Sequence, residues 1–331
     1  MEPKLDAYDK RILFELDRNA RITTSSIAKQ IKKSKQFVDY RIKKMEEEKV
    51  ILGYTTVIDP SRLGYISMRV YLKFHNITPE QQTELENALI KDKEVWWLVS
   101  LEGIWDVGYA MAVNNLLNFY DYWDKITKKY RKFISKSSIV VYTHIRQYPK
   151  SYLIGKDNSD EGTLVGASRE IIECDELDKG ILKLISDKAR FPLLDMAIKL
   201  KTSPQVIKNH LKKLEKSGII QGYRALIDVS LLGYRYYKAY INFINTNQLK
   251  ELEDFCFRHP NILNVNRTIG GRDFEIELQA KSFDEFEKIM NEIRKAVSGM
   301  IDDYEFVIAR EEKKMIYFPF DESAGSGRRK R

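Results

Sequence analysis

A chain of 331 residues is long enough for two or more cores, and 43% hydrophobic with 31% charged residues excludes a disordered or fibrous protein. The charged start MEPKLDAYDKR lacks an apolar signal core and the longest dense apolar run, Val95 to Val99, is too short to cross a bilayer, so the chain reads as cytosolic with no membrane partner. The net charge of +8 favours an acidic partner, although Arg328, Arg329, Lys330 and Arg331 supply half of it; Cys174 and Cys256 cannot make a disulfide or metal framework alone and are expected to pack.

Residues 1–55 read as three helices followed by a strand. Asp6 can cap the first helix, Asp9 favours the positive end of its dipole, and Ile12, Leu13 and Leu16 make the inward stripe. Ile27, Ala28 and Ile31 turn inward on the second. After a tight break Ser34 is the N-cap candidate of the third, whose Val38, Ile42 and Met45 face the core. Its opposite face displays Gln36, Asp39, Tyr40 and Lys43. Lysines and arginine crowd the second and third helices, from Lys29 to Lys44, against the single acid Asp39, while acids collect at Glu46, Glu47 and Glu48. Beyond Gly53, the alternating Tyr54 to Ile58 reads as a wing strand and completes a winged helix-turn-helix. Gln can pair bidentately with adenine and Lys can reach guanine or phosphate, so such a helix suits the major groove of double-stranded DNA. The expected contacts are Lys32, Lys33, Lys35, Gln36, Asp39, Tyr40, Arg41, Lys43 and Lys44.

Residues 56–152 change pattern to strand, helix, strand, strand, helix, strand. Strands are expected near Met68 to Asn76, Val95 to Leu101, Trp105 to Val113 and Ser138 to Arg146, with helices near Pro79 to Lys91 and Asn115 to Phe133. This is the ferredoxin-like βαββαβ plan, α+β, with helices on one sheet face and the other face left to pair with a second sheet. The turn Gly103 to Asp106 reads GIWD. Trp96, Trp97, Trp105 and Trp123 all fall in this part of the chain, as pocket, core or interface residues. Residues 153–173 follow, and their Gly-, Ser- and acid-rich run Lys156 to Ser168 is expected to be a flexible linker.

The chain then begins again, because Asp6 to Phe74 returns as Asp175 to Phe243 at a constant offset of 169. Asp6/Asp175, Asp9/Asp178, Ala20/Ala189, Arg21/Arg190, Gly53/Gly222, Tyr54/Tyr223, Asp59/Asp228 and Gly64/Gly233 keep their identities, while apolar positions merely stay apolar. Residues 174–224 form a second winged helix-turn-helix, with Ser203 capping the third helix and Pro204 at its first position. Its expected DNA contacts are Lys201, Ser203, Gln205, Lys208, Asn209, His210, Lys212 and Lys213. Residues 225–319 form a second ferredoxin-like domain, with strands near Tyr237 to Ile244, Ile262 to Ile269, Phe274 to Ala280 and Ile301 to Arg310. Its helices are expected near Asn247 to His259 and Ser282 to Val297, and residues 320–331 as a disordered basic tail.

The stretches LDAYDKRILFELDRNAR, SIAKQI, SKQFVDYRIKKMEEEKVILGYTTVID and SRLGY, with LDKGILKLISDKAR, SPQVIKNHLKKLEKSGIIQGYRALID and LLGY in the repeat, resemble the Lrp/AsnC transcription factors, the feast/famine regulators. That resemblance implies a sequence-specific DNA-binding regulator whose regulatory (RAM/AsnC-type) domains self-associate and often bind an amino acid at the interface. It further implies that the family's Gly-x-x-Asp turn, present at Gly103, Trp105 and Asp106 and again at Gly270, Arg272 and Asp273, either contacts such an effector or is simply a hairpin turn. Asp39 and Tyr40 stand where that family often has basic residues and His210 takes the place of Arg41, so the two reading heads are expected to differ. One chain would carry what its relatives assemble from two subunits, freeing the copies to diverge.

Two other classes have distinct signatures. Siroheme decarboxylases resemble the same architecture, and that resemblance would bring a His-Asn-Tyr-x-Arg stretch on the second strand of the regulatory module. Here those strands read WWLVSLEG and NVNRTIGG, and His75, His144, His210 and His259 make no spaced ligand set, so no enzyme, metal or cofactor is expected. A winged-helix scaffold that pairs with related regulators without binding DNA would have no use for two basic helix faces held in register.

Overall fold

The computed structural model describes residues 4–317, so the tail expected over 320–331 lies outside the described residues. Among the described residues no helix is long and apolar enough to cross a membrane.

The first repeat opens with α1 (Ala7–Arg18), α2 (Thr24–Ile31) and α3 (Lys35–Glu47). Asp6 accepts from the N–H groups of Tyr8 and Asp9, and the Asp9 carboxylate accepts in return from the Asp6 N–H, a reciprocal cap that fixes where α1 starts. Thr23 and Ser34 cap the next two helices. Ile12, Leu13, Leu16, Ile27, Val38, Ile42 and Met45 are buried between the three, as the spacing predicts. β1 (Ile51–Ile58) follows.

Between the modules, Asp59 accepts from the Ser61 N–H, and Gly64 at φ 82 closes the short 3-10 turn Pro60–Leu63. Asp228 and Gly233 do the same around Val229–Leu232, which accounts for the identity of both residues in the two copies. The second helical unit consists of α6 (Glu176–Ile185), α7 (Leu193–Lys199) and α8 (Pro204–Lys216), followed by β7 (Ile220–Ile227).

The strands at the wing positions form, and each takes the other as its partner. β1 and β7 pair with each other antiparallel, Thr55 opposite Arg224 and Thr56 opposite Tyr223, so each wing is half of a ribbon joining the two repeats. The ribbon crosses into the helical cores: Ala225 is packed with the first trio of helices and Ile58 with the second, where Ala20 from the turn after α1 also packs.

The regulatory modules run β2 (Ile66–Phe74), α4 (Pro79–Lys91), β3 (Val95–Gly103), β4 (Val107–Val113), α5 (Leu116–Tyr130) and β5 (Ile134–Gln147), then β8 (Arg235–Phe243), α9 (Leu249–Arg258), β9 (Ile262–Ile269), β10 (Phe274–Ala280), α10 (Phe283–Ala296) and β11 (Ile301–Met315). Instead of stacking two open sheets, the modules share one ring. The order β2-β4-β3-β11-β8-β10-β9-β5 returns to β2, so the strands close into an eight-stranded barrel. The long strands make the joints. β5 pairs with β2 of its own repeat up to Tyr142 and then with β9 of the other; β11 pairs with β8 and then with β3. Each module buries its helices against the outside of its own strands in a separate apolar core. Cys256 packs in one of these cores, and burial pushes its thiol well up.

The expected flexible linker is tied down. Its residues include β6 (Thr163–Val165), which pairs with Ile145 to Gln147 of β5. Buried Asn158 donates to the Phe257 and Asp160 carbonyls, and Arg18 reaches the Asp160 carboxylate at 2.8 Å. Gly162 lies at φ 65, where an added Cβ would meet the Gln147 carbonyl oxygen at 1.8 Å. The glycines that suggested flexibility serve tight turns instead.

Candidate nucleic-acid interface

The faces of α3 and α8 away from the cores are open to solvent, as the helical spacing predicts. Gln36, Tyr40 and Lys43 are exposed on α3, and Gln205, Lys208, Asn209 and Lys212 on α8. Tyr40 is 64% exposed, unusual for a large ring with no packing duty. Asp39 is half-exposed; the Thr24 hydroxyl, with Lys35 at 3.3 Å, holds its carboxyl below the usual range. Gln205 donates to the Asn209 side chain at 3.0 Å, one turn along, so the two amides form a preset polar pair. Lys32, Lys33, Lys35 and Lys44 are exposed beside the first face, and Lys201 beside the second. Ser203 also is exposed there, with its hydroxyl occupied in capping α8 by accepting from the Val206 N–H.

Lys32 and Lys201 occupy the same place in the two copies, and both adopt the left-handed conformation, at φ 55 and 52. A non-glycine residue there costs roughly 1 kcal/mol. Both turns hold an exposed cation at the tight break preceding the third helix.

Three expected contacts reach back to aspartates at the start of the first helix of their head. Arg41 is bound to Asp6 and Asp9, each at 3.0 Å, and ties α3 to the start of α1. In the repeat His210 lies 2.7 Å from Asp178 and Lys213 2.6 Å from the same carboxylate. These side chains tie the third helix of each head to the start of the first, so Arg41, His210 and Lys213, all expected DNA contacts, also hold the helices together. Burial works against ionisation of Asp178, yet hydrogen bonds from Lys213 and His210 keep its carboxyl low. Asp175, Asp178 and His210 bring three ligand-type atoms within 4.8 Å of one another, but the Lys213 ammonium already supplies the cation.

A device missed in the sequence couples the two heads. Tyr54 on β1 donates to Glu46 of its own repeat at 2.5 Å and accepts from Arg190 of the other at 3.2 Å. Tyr223 on β7 likewise donates to Glu215 at 2.7 Å, and Arg21 lies over its ring at 5.1 Å. The adjoining backbone is bonded too, Ala20 N–H to the Tyr223 carbonyl and Ala189 N–H to that of Tyr54. The signal was present in the repeated identities of Arg21/Arg190 and Tyr54/Tyr223, but only pairing of β1 with β7 gives them a role.

The Gly-x-x-Asp turns carry structural contacts. Asp106 accepts from the Phe74 N–H and from Lys73, both at 2.7 Å, and Asp273 from the Phe243 N–H at 2.8 Å. Gly103 lies at φ 124, Arg272 is ion-paired to Glu305, and Trp105 stacks on Tyr71 at 6.1 Å. Through Asp106 and Asp273 both turns fasten the ends of strands, the role of a hairpin turn.

Inside the ring lies a buried ionic network. Glu277 accepts from Arg69 at 3.1 Å, Lys238 at 2.9 Å and Asn266 at 3.0 Å, and also from Tyr236 and Asn264. Lys238 further reaches Glu275 at 2.7 Å and the Tyr142 hydroxyl at 2.8 Å. Arg69 is sandwiched over the Tyr142 and Trp97 rings. Burial opposes ionisation of Glu277, but Lys238 and Arg69 hold its carboxyl far below the usual range.

A family described as winged helix-turn-helix DNA-binding matches this chain twice, over residues 5–51 and 175–221. Among similar proteins, the uncharacterized HTH-type transcriptional regulator PF0054 of Pyrococcus furiosus is 31% identical over 125 residues, covering 37% of this chain and 80% of that protein. The HTH-type transcriptional regulator FL11 of Pyrococcus horikoshii is 22% identical over 148 residues, 45% of this chain and 97% of the relative. Across 96% of each chain the fold is similar to that of the siroheme decarboxylase NirDL, with a TM-score of 0.63 and 14% identity.

Proposed function

The chain belongs to the Lrp/AsnC family of winged helix-turn-helix regulators as a tandem duplication, and from that premise we propose that it is a sequence-specific transcriptional regulator that binds double-stranded DNA as a single-chain pseudo-dimer. The observation that carries this reading is the pair of solvent-open third-helix faces, Gln36, Tyr40 and Lys43 in one head and Gln205, Lys208, Asn209 and Lys212 in the other. Each presents amide donors and acceptors among lysines, the chemistry that reads base edges and anchors phosphate. The β1–β7 ribbon and the tyrosine clasps join the heads. The test is selection of bound fragments from genomic DNA by the purified protein, alone and with a panel of amino acids. Enrichment of one sequence supports the reading, a change of affinity with one amino acid adds an effector to it, and uniform recovery of all fragments overturns it.

A second reading draws on one observation, the match of fold to NirDL across both repeats. A decarboxylase acting on an iron tetrapyrrole would need a cavity that admits that group. In this chain the ring interior instead carries Tyr71, Tyr142, Tyr240 and the paired charges of Arg69, Lys238, Glu275 and Glu277, and no histidine lies among these groups. Titration with an iron uroporphyrin separates the readings: a saturable shift of its Soret band would favour the enzyme.

A further inference from the structure

The two repeats line the ring with unlike chemistry, although their positions correspond one to one. Arg69 on β2 lies opposite Ala110 on β4, whereas its counterpart Lys238 on β8 lies opposite Glu277 on β10. Tyr71 lies opposite Gly108, and its counterpart Tyr240 opposite Glu275. Both repeats thus contribute one buried cation, but the second alone contributes these carboxylates, and Glu277 serves the cations of both halves. The pattern recurs at the strand joints. The Trp97 indole N–H of the first repeat donates to Glu312 of the second at 2.7 Å, while the register puts Asn264 and Ile145 at the matching pair of positions.

We infer that the ring interior is a pairing code by which each half of this chain accepts the unlike half and rejects its own kind. Two first halves would bury two Arg69 guanidiniums with Gly108 and Ala110 where the carboxylates should be. Two second halves would bury two Lys238 ammoniums against four carboxylates from Glu275 and Glu277. Only the mixed pair brings Arg69 and Lys238 together with one Glu275 and one Glu277, a balanced set of two cations and two anions. An unpaired charge in such an interior is heavily penalised, so the code excludes exchange between like halves. It equally excludes a single-repeat relative whose matching surface carries a cation without acids. This rests on the single-chain pseudo-dimer reading and names what enforces it.

The test uses full-length chains. Arg69→Glu and Glu277→Arg should each lower the melting temperature by about 10 °C or more, and the double variant should recover most of that loss. When R69E and E277R chains with different tags are co-expressed, unlike halves match across chains, and the two should co-purify at the mass of two chains well above the level of either variant with wild type. A double variant as unstable as the singles, or co-purification no better than with wild type, would overturn the code. The single-chain premise is read separately by oxidising a T55C/R224C chain, since these residues face each other across the ribbon. A cross-link at one-chain mass supports it, and one at two-chain mass ends it whatever the charge variants do.

Discussion

Asp17 of the first repeat and Arg224 of the second are joined by a buried ion pair at 2.8 Å, while the residues matching them, Ser186 and Thr55, are joined by a hydroxyl-to-carbonyl bond at 2.9 Å. The pair is completed by Lys150, also 2.8 Å from Asp17. Burial opposes the Asp17 charge, but Arg224 and Lys150 more than offset it and bring the carboxyl down to about 2. A carboxyl depressed in the folded state contributes stability above its unfolded value, near 4, and loses it as the pH falls toward 2. Asp17→Asn should therefore cost about 2 kcal/mol at pH 7, and the gap between variant and wild type should narrow below pH 4 in denaturant titrations followed by circular dichroism. A gap independent of pH would assign the loss to packing.

DNA affinity should fall steeply with salt. If the exposed lysines around α3 and α8 neutralise about six phosphates, affinity drops on the order of a thousandfold between 50 and 200 mM salt. A filter-binding series gives the slope, and a slope near zero would end the DNA reading.

Base reading and phosphate anchoring should separate on the two helices. Gln36→Ala or Asn209→Ala should cost about 1 to 3 kcal/mol on the preferred site and relax its sequence. Lys32→Gln or Lys201→Gln should weaken all sequences alike and make the salt slope shallower. Competition binding against scrambled DNA distinguishes the outcomes, and a reversed division would mean the helices meet the groove on another face.

The bound site should consist of two unlike half-sites. Asp39 and Tyr40 on one head correspond to Lys208 and Asn209 on the other, so a palindrome would suit neither. Footprinting on a selected operator tests this, with half-site centres expected near a whole number of turns, each about 34 to 36 Å. A symmetric footprint would overturn the asymmetry.

Most of the local structure was legible because capping residues and apolar spacing are local signals. Asp6, Ser34, Ser203 and Pro204 mark helix starts as the chain shows them, and helix Pro79–Lys91 and strand Phe274–Ala280 have the expected bounds. What was not legible is which strand meets which. Alternation in Tyr54 to Ile58 announces a strand but says nothing about its partner, and that partner begins at Ile220. The site was legible in part for the same reason. Helical spacing exposes Gln36 and Asn209, but it cannot tell that Arg41 and Lys213 turn back onto aspartates at the start of another helix. Buried charge was the least visible, since Glu275 and Glu277 on β10 have the polarity of a strand with a solvated face.

The closed ring also sets a clock on the newborn chain. β3 and β5 acquire their missing neighbours, β11 and β9, only when the second repeat has been made, and β1 waits for β7, 169 residues further on. At the roughly 5 to 20 residues per second of protein synthesis, that is about 8 to 35 seconds during which unpaired strand edges and the surface around Trp97 are open to other chains. The finished ring has no free edge among its eight strands, whereas half a ring has two. Slow translation or a shortage of chaperone should therefore harm this protein while it is being made far more than after it is complete.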